Sequence, residues 1–331
     1  MVSIKDVAKH AGVAISTVSK VLNHYPNVSE ETKEKVNAAI RELNFVPNTI
    51  AAALSSKQSG RVALIMNLNT QTQAVDEIGM QYLQGAIGQC RELGLDVITV
   101  FYSMIRDKSL GEMEQYFRTQ SISGIIVYGI SKDDTVLQEL AESQKFKMVV
   151  IDAPIVNEST STVWIDHKQA QKDVARRTIT TNLGNSSKVL YISGKENGYV
   201  TDIRIEGMKE LAEELNLDLT IRNGQLSEYQ ARQITFELAE DRDIIVCASD
   251  LMAIGAMKAL IDMDIFRPVC GFDGITLMGY VGKQMNTINQ NFSNISKEAV
   301  NEIARLMNGE EGRNVILPHE IVRLRYEDII R

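Results

Sequence analysis

The 331-residue sequence predicts an all-α helix-turn-helix head, a hinge helix, and an α/β core of two doubly wound parallel-sheet subdomains. Three observations predict it. Two short amphipathic stripes with a tight turn between them open the chain. A polar run at residues 55–60 then breaks the pattern. Beyond it, short apolar runs alternate with helical patterns, the mark of parallel sheets covered on both faces.

In the head, Ile4, Val7, Ala8 and Ala11 fall at i, i+3, i+4 and i+7 of one helix. Gly12 follows, where a helix commonly ends in positive φ. Val18, Val21 and Leu22 make a second stripe and leave Ile15, Ser16, Ser19 and Lys20 on the outer face. Two helices joined by so short a turn form a helix-turn-helix, whose second helix enters the DNA major groove. The pattern implies a gene regulator rather than an enzyme. Ser29 is a good N-cap for a third helix, with Glu30, Glu31 and Glu34 near its positive end and Val36, Ile40 and Leu43 on its buried face. Pro47 pushes Val46 out of the α region. Residues 49–54 can form a hinge helix too short to be stable alone, which orders when paired or bound to DNA. These signals bound a head at 1–46, a hinge and linker at 47–59 and a core at 60–331.

In the core, residues 61–66, 95–101, 124–128 and 147–151 read as buried strands, separated by amphipathic segments such as 75–91 and 135–143. A second set follows, with strands at 188–193, 218–222, 243–247 and 268–271 and helices at 169–181, 201–215, 228–239 and 251–263. Two such blocks exceed one sheet and predict two subdomains that hold a ligand in a shared cleft at the strand C-termini. The first takes residues 60–160 and 291–316, the second 161–290 and 317–331. The tail carries a strand-like run at 320–324 and no leucine heptad, so a homodimer is the expected assembly.

The formal net charge of −8 is unevenly spread: residues 1–59 carry +2, leaving −10 for the remainder. An acidic body repels DNA while the weakly basic head engages it, so two heads and groove contacts must share the work. Cys90, Cys247 and Cys270 are an odd number without paired spacing, which argues against a disulfide framework or zinc site. His10, His24, His167 and His319 are scattered without metal spacing, and no metal or cofactor is expected. No secretory signal or membrane-length apolar run is read, which predicts a cytoplasmic protein with no membrane partner. No G-x-S-x-G elbow, P-loop or H-E-x-x-H is found, and residues 194–198 lack the Lys-Ser/Thr ending of a phosphate loop. An extracytoplasmic sugar-binding protein would share the two-lobed core, but with a secretory leader and no DNA head.

The segments Ile4-Lys5-Asp6-Val7-Ala8, Ala11-Gly12-Val13, Thr17-Val18-Ser19-Lys20-Val21-Leu22-Asn23, Val28-Ser29-Glu30-Glu31-Thr32 and Leu43-Asn44-Phe45-Val46-Pro47-Asn48 resemble the head of the lactose-repressor (LacI/GalR) family, as does the hinge ending at Leu54. The resemblance continues through Arg204 to Gly207, Ser249-Asp250 to Gly255, and Gly271-Phe272-Asp273. It implies a periplasmic-binding-protein-like core and a repressor of carbohydrate genes, dimeric on a near-palindromic operator and switched by a small sugar or sugar phosphate. By the resemblance, Ile15, Ser16 and Lys20 read bases, Thr17, Ser19, Asn23 and Thr32 hold phosphates, and Ala51 and Leu54 enter the minor groove. Ser29 and Asn48, from the same motifs, complete the DNA-facing set. Ile15 selects by apolar contact alone, and Lys20 replaces the usual arginine, losing bidentate guanine reading. Ala14 replaces the usual small hydroxyl residue at the helix start, losing a cap worth about 1 kcal/mol.

For the cleft, the resemblance implies Arg204 as effector clamp, with Asp273 and Asp152 as carboxylates from the two subdomains. Trp164, Tyr229 and Phe292 match positions that pack on the ligand, Ser249 takes a polar cleft position, and Tyr128 is a looser match. Residues 264–269 form a shorter connection into Gly271-Phe272-Asp273 than the family usually has.

Overall fold

The computed structural model describes residues 2–22, 28–43, 45, 60–67, 74–182, 188–280 and 285–323. They fall into two compact units, the head and the core.

The head is three helices: α1 (Ile4–Ala11), α2 (Ile15–Leu22) and α3 (Glu30–Glu42). The Ser3 N–H and hydroxyl donate to the Asp6 carboxylate at 2.8 and 2.7 Å and fix the start of α1. Those bonds hold the Asp6 carboxyl below its ordinary range. Gly12 ends α1 in the left-handed region at φ 65°, turning the chain into α2. Ser29 caps α3, accepting the Thr32 N–H at 3.4 Å. Val7, Val18 and Val36 meet with no exposed surface, with Ala8, Val21 and Ala39 around them. Ile40 and Leu43 are only partly buried and pack against this cluster, while Ala39 is buried within it. His10 and Glu42, 2.7 Å apart, tie α1 to α3.

The core opens with β1 (Arg61–Met66), α4 (Ala74–Leu93), β2 (Asp96–Phe101), α5 (Leu110–Thr119), β3 (Ile122–Tyr128), α6 (Thr135–Glu142), β4 (Lys147–Ile151) and β5 (Thr160–Ile165). With β11 (Asn314–Leu317) these strands form a parallel sheet of order β11-β5-β4-β3-β1-β2. Side chains alternate across it as the pleat requires. Leu64, Ile126 and Val149 join a cluster with α4 and α11 (Phe292–Met307), while Ala63, Ile65, Ile125 and Val127 pack against α5 and α6.

The second subdomain contains α7 (His167–Asn182), β6 (Lys188–Ser193), α8 (Tyr199–Leu215), β7 (Asp218–Asn223), α9 (Glu228–Leu238), β8 (Ile244–Cys247), α10 (Asp250–Asp262) and β9 (Val269–Cys270). Its parallel sheet has the order β7-β6-β8-β9, and β10 (Thr287–Asn289) pairs antiparallel with β12 (Glu320–Val322). The chain passes between subdomains after β5, between β10 and α11, and between β11 and β12.

The first passage differs from the sequence expectation, which placed the boundary at residue 160. β5 belongs to the first sheet, yet Thr160, Ser161 and Thr162 make it read as polar. All three are buried. The Thr162 hydroxyl donates toward the Val150 and Ala153 carbonyls, and Ser161 donates to Glu302 at 3.2 Å. With two of the three hydroxyls satisfied, the polar run lies in the core, where hydropathy does not reveal it. The other expected strands lie within two residues of their observed ends.

The α7–α8 pair sets up the site. Lys168, Lys172 and Arg176 on α7 meet Glu206, Glu210 and Glu214 on α8, one helical turn apart at each step. Gly207 allows the close approach, since a Cβ there would stand 2.7 Å from the Lys168 carbonyl oxygen. Cys90, Cys247 and Cys270 are free and buried, and burial pushes Cys90 up to about 11. Among the described residues no helix is long and apolar enough to cross a membrane.

Candidate functional site

On the head, α2 presents Ile15, Ser16 and Lys20 outward, with Ile15 at 45% exposure. A large apolar side chain left uncovered beside a serine and a lysine is poorly explained as packing. Thr17 and Ser19 are half-buried on the flanks of α2. At the start of α3 the Ser29 and Thr32 hydroxyls lie 2.8 Å apart and bond to one another. Asn23, Asn48, Ala51 and Leu54 lie outside the described residues, as do the hinge helix and His24.

In the core, a cleft of about 230 Å³ lies at the C-terminal ends of the strands, where loops of both subdomains converge. Asp152, after β4, reaches it from the first subdomain, and Phe292 opens α11 beside it. Arg204 on α8, Ser249 before α10 and Asp273 after β9 reach it from the second. Several contacts tie the two subdomains together. Glu77 on α4 accepts the Thr276 N–H and hydroxyl, both at 2.8 Å. Elsewhere the Lys132 N–H donates to the Asn197 carbonyl at 2.9 Å, and the Lys132 ammonium pairs with Asp202.

Arg204 is 6% exposed and bound on several sides. One terminal nitrogen donates to the Ala248 carbonyl at 2.7 Å, the other to His167 Nδ1 at 3.1 Å, and the guanidinium lies 3.6 Å from the Phe272 ring centroid. Among the described residues its Nε has no hydrogen-bond partner. Asp152, at φ 62°, receives His167 Nε2 at 2.8 Å.

Asp273 stands at φ 125° and accepts the Gln290 amide at 2.9 Å. Burial pushes its carboxyl well above the usual range, while Arg204 pulls the other way. Buried Asp250 braces this loop, accepting the Gly274 and Ile275 N–H groups at 2.8 and 2.9 Å and the Thr287 hydroxyl at 2.5 Å. Gly271 is required beneath it, because a Cβ would meet Asp250 Oδ1 at 2.2 Å. The shorter connection at 264–269 therefore still delivers Asp273 to the cleft. Ser249 caps α10, accepting the Met252 N–H at 3.3 Å, and keeps its hydroxyl proton to donate.

Three expected residues lie outside the cleft lining. Tyr128 is buried behind the wall, its hydroxyl 2.5 Å from that of Ser296, and its ring supports Tyr82 at 4.7 Å. Trp164, on β5, donates its indole N–H to Asn314 at 2.8 Å across the strand pair with β11. Tyr229, 63% exposed, lies on the outer side of α9, whose inward face is Ala231 and Thr235. Leu226, in the preceding turn at φ 57°, lines the cleft instead.

Sequence reasoning missed Tyr82, Thr201 and Gln290, which also line the cleft. Tyr82 packs edge-on to Phe292 at 5.2 Å, and burial drives its hydroxyl well above the ordinary tyrosine range. Its only sequence signal was an aromatic on an amphipathic helix, which most often means core. His167, next to the cleft, was read as scattered because its partners are distant in sequence. No cluster of metal-binding side chains is present among the described residues.

Residues 3–48 match the model for bacterial regulatory proteins of the lacI family, and residues 71–311 match the periplasmic binding protein domain. Over 97% of each chain, the sequence is 28% identical to catabolite control protein A of Staphylococcus epidermidis. The fold matches the lac repressor dimer bound to operator and the anti-inducer ONPF, with a TM-score of 0.81 and 22% identity over 97% of this chain and 98% of that one. It also matches the transcriptional regulator CelR–cellobiose complex, with a TM-score of 0.70 and 24% identity over 98% and 99%. A reading helix with an uncovered polar and apolar face, joined to a two-lobed cleft with a buried arginine, agrees with both matched models. The chain belongs to the lacI family of bacterial regulatory proteins, DNA-binding transcriptional regulators with a helix-turn-helix head and a periplasmic-binding-protein-like core.

Proposed function

We propose that this regulator is a cytoplasmic repressor of carbohydrate-utilisation genes whose operator affinity is switched by a small sugar or sugar phosphate bound between the core subdomains. One observation carries the reading: Asp152 from one subdomain and Arg204 and Asp273 from the other line a single cleft, with Tyr82 and Phe292 as an aromatic wall. Carboxylates accept from hydroxyl pairs, a guanidinium donates to ring and hydroxyl oxygens, and aromatic faces cover the C–H faces of a sugar. CelR, of similar fold, is in complex with cellobiose.

A ligand touching both subdomains favours one angle between them, and only such differential binding can switch anything. Exposed Met80 and Ile87, seven residues apart on α4, suit burial against a second copy, as does the dimeric state of the lac repressor structure. Two heads would then read two halves of a near-palindrome through Ile15, Ser16 and Lys20. Thr17, Ser19, Asn23, Ser29, Thr32 and Asn48 would set register on phosphates, and Ala51 and Leu54 would enter the minor groove.

The test is a mobility shift of the full-length protein on DNA upstream of its own and neighbouring genes. D-glucose, D-galactose, maltose, cellobiose and glucose 6-phosphate are titrated in. The reading predicts one preferred fragment and at least one compound that changes its affinity about tenfold or more, a coupling of roughly 1.4 kcal/mol. A preferred fragment that none of these compounds affects would leave the regulator but reject the sugar switch.

A further inference from the structure

Asp152 and Arg204 face the cleft from different subdomains, and the link between them runs through His167. His167 is 1% exposed and is not itself part of the cleft lining. It is the first residue of α7, directly after the first passage between subdomains. Its geometry fixes its chemistry. Arginine has donors only, so Nδ1, 3.1 Å from the Arg204 Nη2, must offer a lone pair. The ring hydrogen is then on Nε2 and is donated to Asp152 Oδ1 at 2.8 Å. The ring is stacked on Phe272, at 6.0 Å between centroids and 30°, and the same Phe272 carries the Arg204 guanidinium on its face.

We propose that His167 is a positioning residue for the effector response: a neutral imidazole that ties the Asp152 carboxylate to the Arg204 guanidinium across the subdomain boundary. The proposal rests on the effector reading above and adds to it the part that transmits contact. A ligand pulling on either cleft charge pulls on the other through a rigid ring, and so on the angle between the subdomains. The ionic ladder from α7 to α8 holds His167 and Arg204 on a common support.

The tie works in one protonation state. The charged groups facing the ring are Asp152 after β4, Arg204 on α8 and Asp166 before α7, while Phe272 and Trp164 contribute uncharged rings. Burial holds the imidazole below its ordinary value, Arg204 adds to this, and Asp152 opposes it. A second ring proton would set a donor against the Arg204 donor and open the contact.

Trp164, the single tryptophan of the chain, lies 6.3 Å edge-on from His167 and reports on it, since a protonated imidazole quenches indole emission. In the full-length protein, emission should hold steady down through about pH 6.5, the ordinary imidazole value, and fall only at lower pH as the imidazolium forms. His167→Gln should remove the fall. Asp152→Asn should move its midpoint to lower pH, and Arg204→Met should move it to higher pH. A midpoint that neither change moves would overturn the tie. Circular dichroism at each pH separates titration from unfolding, and if His167→Gln does not fold, the two partner variants still decide.

In the mobility shift with D-glucose, D-galactose, maltose, cellobiose and glucose 6-phosphate, His167→Gln should raise the concentration for half-maximal effect about tenfold. A response within about twofold of wild type would overturn the positioning role. If none of these sugars moves the wild-type protein, the sugar reading fails by itself, and the fluorescence titration alone decides for or against His167.

Discussion

At Arg204, hydrogen bonding, ring stacking and an unfilled Nε converge on one buried side chain. Arg204→Ala is expected to abolish the effector response while leaving sugar-free operator binding, because no described contact of Arg204 reaches the head. Loss of operator binding as well would make the residue a structural pin. The titrating groups give stability a definite pH dependence. His167 is held below its ordinary value, so the unfolded chain takes up a proton as pH falls below about 6.5 and the folded chain only at lower pH. Stability therefore declines below that point. Asp250 and Asp273 are held above theirs, so the folded chain takes up protons first and gains stability as pH falls through the folded values. Thermal melts should thus show His167→Gln losing less stability than wild type on acidification from about pH 7 to 5.5. An equal loss would remove His167 from the balance. In the sequence, Arg204 was legible through its register before Gly207, whereas His167 was not, because its role depends on residues 15 and 37 positions away.

Among the elements, strands with continuous apolar runs such as β1 and β4 were legible to the residue. β5 was not, since it opens on the buried polar run Thr160-Ser161-Thr162, in which Ser161 bonds Glu302 and Thr162 bonds the Val150 and Ala153 carbonyls. Tyr229, expected in the cleft from the resemblance alone, is 63% exposed and lies outside the lining, to which Leu226 belongs. The glycines of the matching motifs have steric reasons visible only in three dimensions. Gly207→Ala places a Cβ 2.7 Å from the Lys168 carbonyl and should force α7 from α8. A loss of about 1–3 kcal/mol in urea unfolding is expected. In the head, Ser29→Ala should cost about 1 kcal/mol through the lost cap of α3. A loss confined to DNA binding, with unchanged head stability, would assign Ser29 to phosphate contact instead.

Taken whole, the molecule separates reading from sensing. A head of net charge +2 precedes a remainder of net charge −10, so DNA is attracted at one end of the chain and repelled along the rest. The two-lobed core was legible because strand–helix alternation repeats in two blocks. The first passage between lobes was not, because β5 before it reads as polar and a single residue separates it from α7. The hinge lies outside the described residues, and its proposed wedge is tested by function. Leu54→Ala should weaken operator binding by more than about tenfold while non-specific binding changes little, since wedging pays only at a kinkable central step. Equal losses on both duplexes would reject the wedge. The most direct test of the central claim is competition binding of the purified full-length protein on its upstream fragment against random duplex, with and without sugar. The account predicts a preference of about a thousandfold or more that a sugar alters. Equal affinity for both duplexes under every sugar tried would contradict it.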